Sequence, residues 1–219
     1  KAAMAAAPKW ASTPIDERIH WLQRLADALE EEAETVAQLE SMDTGKPISL
    51  ARRVDATRSV ANFRFFAEHG LRHEDATFVS NGATNHVHRK PVGVVGLITP
   101  WNLPLYLLTW KVAPALLMGN AIVAKPSELT PLTANHLAKV MHRIGFPPGV
   151  FNLVHGLGHE VGQAIVEHAD IRAISFTGGT ATGKTVAATA APLFKKISLE
   201  LGGKNATVVL KDAPFDEMM

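Results

Sequence analysis

From Val92 onward the sequence alternates short apolar runs with stretches of helical periodicity, and that alternation constrains the fold more than any other feature. Residues 94–99, 121–124, 150–154, 173–176, 197–199 and 207–210 read as strands, and 106–118, 132–144, 160–167 and 182–190 as helices. A helix between most successive strands forces parallel pairing through right-handed crossovers. The expected class is therefore α/β, a doubly wound, Rossmann-like and mostly parallel sheet.

Upstream, Thr13-Pro14-Ile15-Asp16 predicts a helix start, with a hydroxyl cap, proline at the first helical position and an acid in the first turn. Ile19, Leu22, Leu25, Ala26, Leu29 and Ala33 continue it with amphipathic spacing, and Asp43-Thr44-Gly45-Lys46-Pro47 ends it. A second helix is expected over 48–69. Polar alternation over 77–90, with Asn81-Gly82 as a turn, predicts an exposed strand or hairpin arm, and Pro91 marks a boundary.

Composition removes several classes of function. There is no cysteine, so the covered residues hold no disulfide, thiolate metal site or cysteine nucleophile. No metal site is expected. With 22 basic against 21 acidic residues no global field favours nucleic acid, and the pairs Arg52-Arg53, Arg89-Lys90 and Lys195-Lys196 read as local surface features. Residues 92–110 carry no charge, but Pro100, Asn102 and Pro104 interrupt them and Lys111 ends them, which suits a buried strand, turn and helix better than a membrane span. Without a signal peptide, a cytoplasmic location is the default expectation. The sequence starts at Lys1 and stops at Met219 just after an acidic segment, so both ends read as cuts through a longer chain.

In a doubly wound sheet ligands bind beyond the carboxyl ends of the strands. Three turns stand there: Lys125-Pro126-Ser127-Glu128, His155-Gly156-Leu157-Gly158 and Thr177-Gly178-Gly179-Thr180. The segment from Gly178 to Thr185 also satisfies the phosphate-loop pattern G-x-x-x-x-G-K-[ST] at every position, which would put Lys184 on phosphates and Thr185 on magnesium. No apolar run ending in a magnesium-binding aspartate follows it. A P-loop ATP- or GTP-binding protein and a non-catalytic dinucleotide-binding fragment remain alternatives at this point.

The order of four motifs is more specific than any one of them. Ile98-Thr99-Pro100-Trp101-Asn102-Leu103-Pro104, then Lys125-Pro126-Ser127-Glu128, then Phe176-Thr177-Gly178-Gly179-Thr180, then Leu199-Glu200-Leu201-Gly202-Gly203-Lys204-Asn205 together resemble the aldehyde dehydrogenase superfamily. The resemblance covers essentially the whole chain and implies NAD-dependent oxidation of an aldehyde to the acid, through a thiohemiacetal and a thioester. It implies that the Asn102 amide donates to the oxyanion, a kind of contact whose loss costs about 10²–10³ in rate. It also makes Glu200 the general base for thioester hydrolysis.

Around NAD the resemblance places Ile98, Thr99, Pro100, Trp101, Lys125, Ser127, Glu128, Gly158, Phe176, Thr177, Gly178, Gly179, Thr182, Leu201 and Gly202. Glu128 would accept the ribose hydroxyls and repel a 2′-phosphate, favouring NAD over NADP. Gly179 replaces a serine found in many family members, so backbone N–H groups alone would meet the pyrophosphate there.

The implied division is a cofactor domain over 1–75 and 92–203, an oligomerisation arm over 76–91, and from 204–219 the start of a truncated catalytic domain. The nucleophilic cysteine would lie beyond Met219, so the fragment alone is expected to be inactive, and the whole protein to be a homo-oligomer. Residues 60–69 and 91–117 resemble the branch acting on muconic semialdehydes. Such substrates carry a distant carboxylate, and Arg58 is the candidate cation for it, the alternative being an intrahelical pair with Asp55.

Overall fold

The computed structural model describes residues 1–72, 75–203, 206 and 208–213. It opens with helices α1 (Ala2–Ser12), α2 (Ile15–Glu31), α3 (Ala33–Thr44) and the short α4 (Ile48–Leu50), which runs through a π-helical turn (Ala51–Ala56) into α5 (Thr57–Gly70). An antiparallel hairpin follows, β1 (Ala76–Ser80) and β2 (Ala83–Val87), closed by Asn81 and Gly82 at φ 51° and 77°. Both strands are solvent-exposed along nearly their whole length.

The remainder alternates as expected: β3 (Val94–Ile98), α6 (Pro104–Leu117), β4 (Ala121–Lys125), α7 (Leu132–Arg143), β5 (Phe151–Leu153), α8 (Gln163–Glu167), β6 (Ile171–Gly178), α9 (Thr180–Ala190) and β7 (Lys196–Leu201). The five strands after the hairpin form one parallel sheet in the order β5-β4-β3-β6-β7.

Every residue of β3 is buried, and its alternation explains the two layers of helices. Val95 and Leu97 join the core under α2, α5, α6 and α7, whereas Val94 and Ile98 join the core under α1, α8 and α9. Gly96 is the exception that permits close contact. A methyl there would stand 2.5 Å from Ile165 Cγ2 and 2.9 Å from Ile174 Cδ1. Both sheet faces are therefore apolar, as a parallel sheet covered on two sides requires.

Several local expectations are corrected. Helix α1 was not foreseen; it forms despite Pro8 because Ala3, Ala7 and Trp10 are buried against the sheet and the helix layer. The first expected helix is two, broken at Glu32, where φ −107° and ψ 19° leave the helical region. Thr13 does not cap α2 but turns back to donate to the Lys9 carbonyl at 3.0 Å. Of the strand expected over 207–210, residue 207 lies outside the described residues and 208–210 are not in a strand. Lys204 and Asn205 also lie outside them. Among the described residues no helix is long and apolar enough to cross a membrane.

Candidate functional site

The chain runs outward from β3 through β4 to β5, then crosses back to β6 and on to β7. Connections therefore leave the neighbouring strands β3 and β6 in opposite directions, and a crevice opens beyond their carboxyl ends. Two cavities occupy that edge. One, of about 500 Å³, is lined by Pro100, Trp101, Asn102 and Tyr106 from the β3–α6 side and by Thr177, Gly178, Gly179, Glu200, Leu201 and Gly202 from the other. The second, of about 560 Å³, is lined by Ile98, Glu128, Gly158, Phe176 and Thr182 together with His159, Gln163 and Val186. The carboxyl end of β6 divides them, Phe176 belonging to the second and Thr177 to the first.

Both residues expected to do chemistry thus share one cavity. Asn102 precedes Leu103, the cap of α6, and Pro104 starts that helix, so two fixed φ values nearby define the turn. Glu200 sits inside β7, opposite Thr177 of β6, rather than after a strand as its sequence position suggested. The strand holds its backbone in register, and Glu200 is exposed at the wall of this cavity.

Lys125 and Glu128 are not loose surface charges. Lys125 is only 2% exposed and donates from Nζ to Glu128 Oε2 at 2.8 Å and to the Pro126 carbonyl at 2.9 Å. The hydrogen bond from Lys125 leads the causes that hold the Glu128 carboxyl below its ordinary range, and backbone N–H groups add to it. Thr99, Lys125 and Ser127 line neither cavity. Ser127 Oγ accepts from Leu129 N at 3.2 Å, and Thr99 N donates to the Lys125 carbonyl at 3.2 Å.

The glycines between the cavities are explained by what surrounds them. A Cβ on Gly178 would meet the Phe176 ring at 2.5 Å, and one on Gly183 would meet Leu201 Cδ2 at 2.5 Å. The same geometry removes the phosphate-loop reading. Helix α9 already begins at Thr180, so residues 180–183 are helical turns and no loop remains to wrap a phosphate chain. Thr185 Oγ1 donates back to the Ala181 carbonyl at 3.4 Å, within its own helix. What remains at Gly179 is a helix N-terminus facing the crevice.

Arg58 is exposed, and its guanidinium lies 5.8 Å from the centre of the Tyr106 ring, itself a wall of the first cavity. The alternative partner, Asp55, is instead bonded to Lys46 at 2.9 Å. Arg52 pairs with Glu34, consistent with a surface role.

Sequence reasoning missed Lys111, which it treated only as the end of an uncharged run. On α6 it is buried, donates from Nζ to Ser175 Oγ at 2.9 Å, and lines a neighbouring cavity that shares Trp110 and Glu200 with the first. Burial lowers its pKa to about 8, partly offset by Glu200. A single lysine in an otherwise apolar helix was the available signal. No cluster able to hold a metal ion occurs among the described residues.

Comparison with known proteins agrees with this geometry. The model of the aldehyde dehydrogenase family matches residues 1–219. The chain is 51% identical over 219 residues to the 2-aminomuconic semialdehyde dehydrogenase of Homo sapiens, covering 99% of this chain and 45% of that protein. To the 2-hydroxymuconic semialdehyde dehydrogenase of Pseudomonas sp. (strain CF600) it is 46% identical, covering 95% of this chain and 44% of that protein. An NAD+ complex of an aldehyde dehydrogenase from Bacillus cereus superposes with a TM-score of 0.90 at 43% identity, over 99% of this chain and 45% of that one. The chain thus spans a little under half the length of the proteins it matches.

Proposed function

The chain belongs to the aldehyde dehydrogenase family, and on that premise we propose that it forms the NAD-binding part of an enzyme oxidising a muconic-type semialdehyde to its acid. The observation that supports this best is the pair of cavities meeting at the end of β6, with Asn102 and Glu200 in one and Glu128 in the other. A dinucleotide has that bipartite shape. Glu128 would accept ribose hydroxyls in the second cavity, and the N-terminus of α9 would face the pyrophosphate between them. The backbone at Gly178 lies so close to the Phe176 ring that a Cβ there would meet it at 2.5 Å, which keeps the ridge between the two cavities thin. NAD, when bound, supplies the hydride acceptor.

The chain's own residues would do the rest. The Asn102 amide would donate to the oxygen of the aldehyde as negative charge develops on it. Glu200, exposed into the same cavity, would take a proton from the hydrolytic water. The thiol that attacks the aldehyde comes from outside this sequence, which has no cysteine. Arg58, held over Tyr106 at the cavity wall, would meet the carboxylate at the far end of the substrate. The exposed hairpin β1–β2 serves assembly into an oligomer in this reading.

The deciding experiment is calorimetric titration of the complete natural polypeptide with NAD, NADP and Mg-ATP. NAD is expected to bind, NADP to bind less well, and Glu128→Gln to weaken NAD. Binding of Mg-ATP that is lost in Lys184→Ala, with no response to NAD, would overturn the reading.

A further inference from the structure

Glu40, Lys46 and Asp55, close together in the sequence, meet the distant Thr133 and the backbone of Asn102 behind the Asn102 turn. Lys46, on the link between α3 and α4, donates from Nζ to Asp55 Oδ1 at 2.9 Å and to the backbone carbonyl of Asn102 at 3.2 Å, and lies 3.5 Å from Glu40 Oε1. Glu40, on α3, and Asp55, in the π-helical turn, are both almost fully buried. The Thr133 hydroxyl of α7 completes the surroundings of Glu40.

Lys46 is itself fixed. Ser41 Oγ donates to its carbonyl at 2.7 Å, Gly45 before it takes a left-handed φ of 73°, and Pro47 follows it. Asp43, near the end of α3, accepts from Leu132 N at 2.7 Å, tying that helix end to the start of α7.

A cation bridging two helices would need only the carboxylates. Here the ammonium also reaches across to the third element, and the group it meets there is the backbone carbonyl of Asn102, a residue of the first cavity's lining. The π-helical turn contributes directly, because it carries Asp55, which accepts from the ammonium at 2.9 Å. A polar contact to the backbone fixes both the position and the tilt of a peptide, and misplacement of a donor by about 1 Å can cost on the order of 10² in rate.

We propose that Lys46 is a positioning residue for Asn102: anchored by Asp55 and Glu40, it fixes the peptide that projects the Asn102 amide into the cavity. The inference rests on reading Asn102 as the oxyanion donor.

Steady-state kinetics of the complete polypeptide tests it, using Lys46→Met, Lys46→Arg, Asn102→Ala and the double variant Lys46→Met/Asp55→Asn. Lys46→Met is expected to lower kcat by about tenfold or more, with KM for the aldehyde and the calorimetric affinity for NAD unchanged. Lys46→Arg should recover most of the loss. The double variant removes one buried cation together with one buried anion. It should show the same fall in kcat at near-normal thermal stability, and so answers the question if Lys46→Met alone does not fold.

Full kcat in a folded Lys46→Met or in the double variant overturns the proposal. So does a loss that tracks NAD affinity and is not recovered by arginine. Asn102→Ala separates the two levels of the argument. If it keeps full kcat, the oxyanion assignment fails; if it is inactive while Lys46→Met is not, only the positioning role fails.

Discussion

At Gly179 the chain has ordinary helix-cap dihedrals, φ −69° and ψ 147°, and a Cβ added there would meet nothing within 4 Å. Glycine is thus not required by geometry, and α9 lacks a side-chain cap. Gly179→Ser should stabilise the protein by a few tenths of a kcal/mol and tighten NAD, as thermal unfolding and calorimetry would show. Lower stability would mean that the N-terminus of α9 is not as open as described. Gly178 behaves oppositely: Gly178→Ala pushes on a rigid ring at 2.5 Å and should weaken NAD markedly.

Glu40 gives a pH signature. Burial first, then the nearby Asp55 charge, raises its carboxyl from 4.5 to about 7, against the opposing pull of Lys46 and Thr133. The folded state then holds a proton that the unfolded chain has released, so stability falls as pH rises through that window, by up to about 3 kcal/mol. Denaturant unfolding at about pH 5 and about pH 8 should show this loss in the wild type and a flatter response in Glu40→Gln. Asn102, Glu128 and Glu200 were legible because each sits in a contiguous motif at a strand end. Lys46, Glu40 and Asp55 were not, because what makes them a unit is their meeting in space across unremarkable helix and link sequence.

Elements were legible wherever burial follows a period. The strands β3, β4 and β6 and the helices α6, α7 and α9 emerge within a few residues of their expected bounds because two apolar faces leave little freedom. Helix α1 escaped notice because alanine carries almost no amphipathic contrast and Pro8 argued against it. The phosphate-loop pattern misled for a related reason. Its residue types fit a loop, but α9 starts at Thr180 and packs Gly183 against Leu201 of β7, a contact distant enough in sequence that the pattern does not encode it. Among strand residues Gly96 is the strictest. Gly96→Ala forces a methyl against Ile165 and Ile174, and should cost about 1–3 kcal/mol in denaturant unfolding. A neutral result would show that α8 can retreat from the sheet.

On the scale of the molecule, the side around β7 is unlike the rest. Ile197, Leu201 and Trp110 are exposed there, Phe194 is 96% exposed, and β7 offers an edge unpaired among the described residues. Such an edge recruits other chains. The isolated 219-residue polypeptide should therefore self-associate in size-exclusion chromatography, and Ile197→Lys should reduce it. Persistent monomer in the unmodified chain would contradict this. The placement of β3 between β4 and β6 carries a last consequence, for the order of folding. Asn102 and Glu128 approach each other once β3 meets β4, a local crossover, but Glu200 joins them only after β6 has returned across the chain and β7 has docked on it. Closing that longer loop is the slower event. The cavity lined by Glu128 is complete once β6 and α9 are in place, whereas the cavity shared by Asn102 and Glu200 also needs β7, so on the proposed reading NAD affinity should recover during refolding before catalysis does.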